Sequence, residues 1–340
     1  MQPYFVGLFL LLVLAVLFDF SNGFHDSANQ VAGVISSRAL SPEIALFISA
    51  ASVFVGATFL GTRVANTIGG TLIDMEIIGS SGFGLLILIS ALVGAFFWNL
   101  ITWHYGIPSS SSHALIGGLM GAFISGAGTQ GIQWNKMKEV ILAMFLSPLV
   151  GFILTYLFTK LTFFISSWSG PRANIFFKSS QIFSLVAQSL AHGTNDAQKT
   201  MGIITFGLIL LNLYHPPLDG PWVPFWVMLI SAFFLAFGIL VGGWKIIKKL
   251  GGALYAIRPI HAFASQTVSA SIIALNSILG LPISTTQVIS SSIMGAGAGF
   301  RPKQVRWAIA GDFFLTWLIT IPASCFISAL FCGILIRILR

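Results

Sequence analysis

Apolar runs about as long as a bilayer is thick recur along this chain, at 44–61, 82–103, 139–159 and 222–244. A helix needs roughly 20 mostly apolar residues to cross the hydrocarbon layer. The runs are continuous rather than alternating with period two, which predicts spanning helices and not the strands of a barrel. Composition agrees. Of 340 residues, 56% are hydrophobic and 8% charged, with a mean hydropathy of +0.92. A soluble domain carries roughly 25% charged residues, and in water this chain would lack the polar surface to cover itself. Residues 4–18 are apolar too. With no basic segment before them and no small-residue cleavage site after, they are read as part of the first helix. The expected fold class is an all-α integral membrane protein.

The net charge of +8 would point to nucleic acid in a soluble protein. Here the basic residues fall in short loops between spans. That pattern sets orientation in a membrane, so lipid is expected as a partner and nucleic acid is not. Cys325 and Cys332 lie in the last apolar segment and are expected to face lipid or a neighbouring helix rather than pair or hold a metal. No zinc-like Cys/His spacing and no Walker A sequence occur, so neither a resident metal nor an ATPase is expected.

The chain repeats itself. Asn22-Gly23-Phe24-His25-Asp26-Ser27-Ala28-Asn29 corresponds to His192-Gly193-Thr194-Asn195-Asp196-Ala197-Gln198-Lys199 at an offset of 170. Gly106-Ile107-Pro108-Ser109-Ser110-Ser111-Ser112 corresponds to Gly280-Leu281-Pro282-Ile283-Ser284-Thr285-Thr286 at 174, and Pro148 to Pro322 at the same offset. Two halves follow, 1–168 and 182–340, with a cytoplasmic linker at 169–181. The loop after the second span carries Asp74 and Glu76, whereas its counterpart carries Lys245, Lys248 and Lys249; Arg38 likewise faces a counterpart loop holding Asp219. Opposite charge in equivalent loops predicts opposite sides of the membrane, hence inverted-topology repeats. The path that results puts both termini outside. It makes 82–128 and 252–299 re-entrant hairpins, one opening to each side.

Asp26 and Asp196 carry the chemistry. A carboxylate inside a membrane costs about 2.5–3.5 kcal/mol or more and marks a functional site unless it merely caps a helix. Each has a glycine three residues earlier, expected to break the motif helix. Freed carbonyls, the carboxylates and the amides of Asn22, Asn29, Asn195 and Gln198 would then form an oxygen-rich site for a cation or proton. The Gly-x-Pro-x-Ser-Ser/Thr-Ser/Thr elements read as hairpin tips, with Pro stopping one helix and hydroxyls capping the next. Helix N-termini bind anions. Two tips facing each other offer Ser110, Ser111, Ser112, Ser284, Thr285 and Thr286 to a tetrahedral oxyanion. Lys199 needs a buried partner, Asp196 or the anion. His25 and His192 flank the motifs and titrate near neutrality, so each is a proton relay or a structural hydrogen-bond donor. His104, His113 and His261 are weaker candidates, and Asp19 and Asp312 are expected to be structural. No nucleophile–base pair stands out, so the chain is not read as an enzyme.

These paired motifs resemble the inorganic phosphate transporter (PiT) family over essentially the whole chain. The resemblance implies two inverted repeats, two re-entrant hairpins, a homodimer in the inner (cytoplasmic) membrane, and symport of inorganic phosphate with sodium ions or protons. It assigns the hairpin hydroxyls with Asp26 and Asp196 to phosphate, and the two aspartates to the coupling ion. The sodium-type motif reads Gly-Ala-Asn-Asp-Val-Ala-Asn in both halves. Here His25 replaces the first Asn before Asp26, and Lys199 replaces the second half's last Asn. These replacements resemble the bacterial low-affinity, proton-coupled branch, in which phosphate can enter as a complex with a divalent metal. The alternatives are sodium coupling and a sulfate permease of the same family. A passive anion channel is disfavoured, because two negative charges would line its pore.

Overall fold

The computed structural model describes residues 2–72, 81–107, 109–167, 170, 172–217, 222–245, 247 and 255–339. Asp74, Glu76, Pro108, Asp219, Lys248 and Lys249 lie outside them, as do 168, 169 and 171 around the expected linker and 252–254 of the second hairpin. The described residues form helices and no strand. In chain order the long helices are α1 (Gln2–Ser36), α2 (Pro42–Phe59), α3 (Ser81–His104), α4 (Ser111–Ala127), α5 (Trp134–Ser166), α6 (Arg172–Leu210), α7 (Phe225–Val241), α8 (Pro259–Ile278), α9 (Thr285–Phe300) and α10 (Trp307–Leu339). A short helical turn, Arg63–Asn66, runs into a π-helical turn, Thr67–Thr71.

Local signals start several of these helices. The Ser41 side chain accepts from Ile44 N at the head of α2, with Pro42 and Glu43 in the first turn, a favourable N-terminal set. Ser110 caps α4 through His113 N and Ser284 caps α9 through Gln287 N. Gly106 and Gly280, both with positive φ, turn the chain after α3 and α8. Pro148 and Pro322 stand inside α5 and α10, where a membrane helix tolerates them.

Five stretches are long and apolar enough to cross a bilayer: Phe5–Ser36, Pro42–Phe59, Gly82–His104, Trp134–Ser166 and Trp307–Ile338. At 39 residues α6 is the longest described helix, yet it is absent from that set because its middle is polar. Gln188, His192, Asn195, Asp196 and Lys199 are all buried. Neighbouring helices, not lipid, surround it.

Each half packs in the same pattern. Within a half, α1 packs on α3 and α3 on α4; in the other, α6 packs on α8 and α8 on α9. Between halves, α1 packs on α7 and α6 on α2, while α4 lies on α10 and α9 on α5. The halves therefore interlock. The equivalent helices α1 and α6 run antiparallel where they meet, since Asp19 bonds Thr200 whereas Gln30 bonds Ser189.

The expected breaks in the motif helices are not there: α1 and α6 run uninterrupted through Gly23 and Gly193. The glycines serve close approach instead. A Cβ on Gly23 would sit 1.9 Å from Leu235 O of α7, and one on Gly193 would sit 2.2 Å from Val53 O of α2. Gly238 and Gly56 answer them, facing Phe20 O and Leu190 O at 2.2 Å. Small residues letting backbones touch is the usual device of membrane helix packing. Most of the expected linker is helix as well, because α6 begins at Arg172.

Gly193→Leu would press a side chain into the α2 backbone. Overpacking typically costs about 1–3 kcal/mol, and backbone yields less readily than a side chain. The variant should unfold at a clearly lower temperature in detergent, whereas Gly170→Ala, with nothing within 4 Å of its Cβ, should match the parent.

Candidate functional site

The antiparallel crossing of α1 and α6 brings the two motifs together, and the α3–α4 and α8–α9 connections close over them. One oxygen each of Asp26 and Asp196 and one nitrogen of His192 lie within 4.8 Å of one another. All fifteen residues of the two motifs and tips singled out for the site are buried, none more than 3% exposed. Connections between helices normally run over the surface; these two, with Ser109, Ser110, Ile283 and Ser284 fully buried, run through the interior.

Hydroxyls of the second tip reach both carboxylates. Thr285 Oγ1 donates to Asp196 Oδ2 at 2.9 Å, and Thr286 Oγ1 donates across to Asp26 Oδ1 at 2.7 Å. Asn29 Nδ2 donates to the same Asp26 oxygen at 3.0 Å. The other, Oδ2, has no hydrogen bond. Lys199 Nζ donates to Asp196 Oδ1, to Ser112 Oγ of the first tip, and to Ile283 O of the second at 3.0 Å. Ser112 Oγ donates to that same carbonyl at 2.9 Å. One ammonium thus ties together a motif helix and both tips. Bidden by burial, it needs such partners, because an unpaired buried charge costs several kcal/mol.

His25 and Asn195 occupy equivalent positions and do equivalent work. His25 Nε2 lies 3.2 Å from Ile107 O, and Asn195 Nδ2 donates to Leu281 O at 3.2 Å, the matching carbonyl of the other tip. Asn195 also donates to Ser277 Oγ at 3.1 Å and accepts from Ile283 N at 3.3 Å. Each residue thus fastens a tip to its motif helix. His25 Nδ1 additionally sits 3.5 Å from Asp26 Oδ1. Both atoms of the Asn195 amide are engaged in this fastening. Gln198 is committed likewise, accepting from Val64 N and Ala65 N at 2.8 and 3.2 Å.

Other expected residues divide. Asn22 is buried with neither amide atom hydrogen-bonded. Neither ring nitrogen of His192 has a hydrogen bond, and its Nδ1 stands 3.5 Å from Asp196 Oδ2. Ser110 and Ser284 turn inward as caps, at 3.1 and 3.3 Å from the amides they accept from. They are therefore less free for an anion than the triplets led us to expect. Among the described residues, the set able to hold a metal is Asp26, His192 and Asp196. Cys325 and Cys332 are free.

Two features extend what the motifs show: the partner of His113, a weaker candidate in the sequence, and a backbone carbonyl. His113 and Gln287 directly follow the Ser/Thr triplets at equivalent positions, and they meet: Gln287 Nε2 lies 3.3 Å from His113 Nε2. The contact brings the starts of α4 and α9 together. The second feature is the carbonyl of Ile283, which no side-chain pattern could signal.

The phosphate transporter family model matches residues 22–169 and again 165–328, nearly the whole chain. The chain belongs to the phosphate transporter family. A protein of Bacillus subtilis (strain 168) named "Probable low-affinity inorganic phosphate transporter" is 43% identical over 323 residues, 94% of this chain and 95% of the relative. One of the same name from Rhizobium meliloti (strain 1021) is 40% identical, covering 96% and 95%. The fold is that of a solved structure titled "The sodium-dependent phosphate transporter", with a TM-score of 0.87, 22% identity, and coverage of 98% of this chain and 100% of that one. Membership, with several helices able to cross a bilayer, makes this a multi-pass membrane protein whose role is transport rather than catalysis.

Asn195→Ala would strip Leu281 O and Ile283 N of their partners, at about 1–3 kcal/mol for each buried group left unpaired. Thermal stability in detergent should fall and the Michaelis constant for uptake should rise. His25→Asn, which places an amide at the same motif position, should change less on both measures.

Proposed function

We propose that this chain is a secondary active symporter of inorganic phosphate coupled to protons, working in the cytoplasmic membrane. The observation that carries this reading is the convergence of Asp26, Asp196 and Lys199 on the hydroxyls of two buried tips. The relatives' names supply the substrate, which hydroxyl chemistry alone would leave open to sulfate.

Charge balance argues for coupling. Two carboxylates and one ammonium leave the site one negative charge in excess when the histidines are neutral. A phosphate dianion cannot join them in a low-dielectric interior without compensation. In the present arrangement Thr285, Thr286 and Lys199 all donate to the aspartates. Protonating Asp26 and Asp196 weakens those bonds, turns the donors over to phosphate oxygens and removes the repulsion in one step. His25, 3.5 Å from Asp26, and His192, 3.5 Å from Asp196, are suited to pass the protons.

Sodium coupling is the alternative. Against it stands Lys199, whose ammonium already occupies an oxygen of Asp196. A divalent metal entering with phosphate would supply the missing charge, and Asp26, His192 and Asp196 have the chemistry to hold it.

In this reading the halves 1–168 and 182–340 are inverted repeats, α3–α4 and α8–α9 are re-entrant hairpins, and both termini lie outside. The antiparallel course of α1 and α6 supports inversion, and the double match of the family model supports the division. The homodimer is part of the same proposal.

Asp26→Asn and Asp196→Asn should each reduce phosphate accumulation in proteoliposomes at least tenfold while leaving the protein monodisperse. Near-normal accumulation by either would remove that aspartate from the coupling site. With gradients imposed separately, a proton gradient should drive labelled phosphate uptake. Uptake driven only by sodium would replace the proton reading by the alternative, and equal inhibition by sulfate would widen the substrate.

A further inference from the structure

Asp19 lies seven residues before Asp26 on α1, two turns away on the same face and about 10 Å along the axis. It is fully buried. Thr200, one turn beyond Asp196 on α6, donates to its Oδ1. Its Oδ2 has no hydrogen bond, and neither has the hydroxyl of Ser231 on α7 beside it.

The other half holds the same cluster without a charge. At the 170-residue offset Asp19 corresponds to Ser189 and Thr200 to Gln30, and the correspondence that pairs Gly56 with Gly238 pairs Ser49 with Ser231. There Ser189 Oγ donates to Gln30 Oε1 at 3.1 Å and lies 3.0 Å from Ser49 Oγ. A hydroxyl thus suffices at this position of the fold, and the carboxyl of Asp19 is an addition that helix packing does not require.

An ionised carboxylate there would lack compensation. The titratable groups on helices packed against α1 are Glu43 on α2, His104 on α3, Arg172, Lys178, His192, Asp196 and Lys199 on α6, and His261 on α8; α7 and α9 carry none, and Arg172 and Lys178 lie at the start of α6, more than twenty residues before Thr200. Asp196, one turn before Thr200 on α6, brings a like charge to this region, which disfavours ionising Asp19. Lys199 is committed to Asp196, Ser112 and Ile283 O. A metal ion finds two free oxygens, Asp19 Oδ2 and Ser231 Oγ, too few for a hard cation. The surrounding carbonyls belong to the helix ladders. A proton on Oδ2 fits: the O–H so formed would donate to Ser231 Oγ and complete both unpartnered groups at once.

We infer that Asp19 is a second proton-exchange site, separate from the Asp26–Asp196 centre and linked to it through the charge on Asp196. The proton binds while Asp196 is negative. It leaves, with Thr200 and Ser231 turned toward the carboxylate, when Asp196 is neutralised by a proton or by a cation arriving with phosphate. The inference rests on the proton-coupled reading above, to which it adds one proton carried opposite to phosphate in each cycle.

Two measurements on wild type, Asp19→Asn and Asp19→Ser, test it, the last variant reproducing the residue of the other half. Monodisperse elution in detergent verifies folding, and the serine variant stands in if the asparagine variant fails that check. Infrared difference spectra of the purified protein across a pH titration should show a protonated-carboxyl C=O band in the wild type that both variants lose. Proton and phosphate fluxes counted together in proteoliposomes should give a proton-to-phosphate ratio higher by one in the variants. A wild-type band that persists in both variants would overturn the site. So would a lost band with an unchanged ratio, which would make Asp19 an acid that titrates outside the transport cycle. If wild-type uptake follows sodium alone, the proton-coupled reading fails instead. The infrared titration then decides by itself whether Asp19 exchanges a proton.

Discussion

Everything in this structure is arranged around ionised groups that have lost contact with water. Asp26, Asp196 and Lys199 are buried, and removing each ion from water costs several kcal/mol after relaxation. The cost is offset only where partners are delivered from several directions. Lys199 alone draws on its own helix, on Ser112 and on Ile283 O. Those partners come from chain segments more than eighty residues apart, so the polar centre cannot form before the scaffold does. The glycine crossings that let α1 rest on α7 and α6 on α2 are therefore part of the site, although no glycine touches it.

The repeat made much of this legible. Matching offsets picked out Asp26 with Asp196 and both tips, and the two pairs meet. The same offsets located α6 as a central helix, which hydropathy alone would have passed over because its middle is polar. What the motifs hid was direction. Gly23 and Gly193 allow a helix to break, and they equally allow two helices to touch; only the opposing Leu235 and Val53 carbonyls decide between these uses. Asn195 can ligate an ion or fasten a loop, and the answer depends on Leu281 O and Ile283 N, backbone groups with no signature in side-chain pattern. Ser110 and Ser284 belong to triplets that look uniform, yet in each triplet the first hydroxyl caps the helix.

The scaffold is nearly symmetric and the chemistry is not. Asn29 donates to Asp26 at the position where Lys199 donates to Asp196. Thr285 and Thr286 each hold an aspartate, whereas in the first tip Ser112 turns to Ile283 O. Asp196 is thus neutralised from within the chain, and Asp26 keeps one oxygen free. Two unequal carboxylates can take up protons or a cation in sequence, which two identical ones sharing a site would do less cleanly.

For a phosphate transporter of this design the remaining question is what holds the site shut. Direct contact between the tips is thin: Gln287 meets His113 at 3.3 Å, and Ser112 donates to Ile283 O at 2.9 Å. Neutral bonds of this kind contribute about 0.5–1.5 kcal/mol each, within reach of thermal opening. Lys199 is the stronger clamp, since it bonds both tips while held by Asp196, and bonds to a charged group are worth about 1.5–3 kcal/mol. Drawing the ammonium toward a bound phosphate would loosen its hold on Ser112 and Ile283 O together. Occupying the site and releasing a tip then become one event, as the proposed symport requires: an empty, unprotonated site keeps its clamp, and a loaded one gives it up.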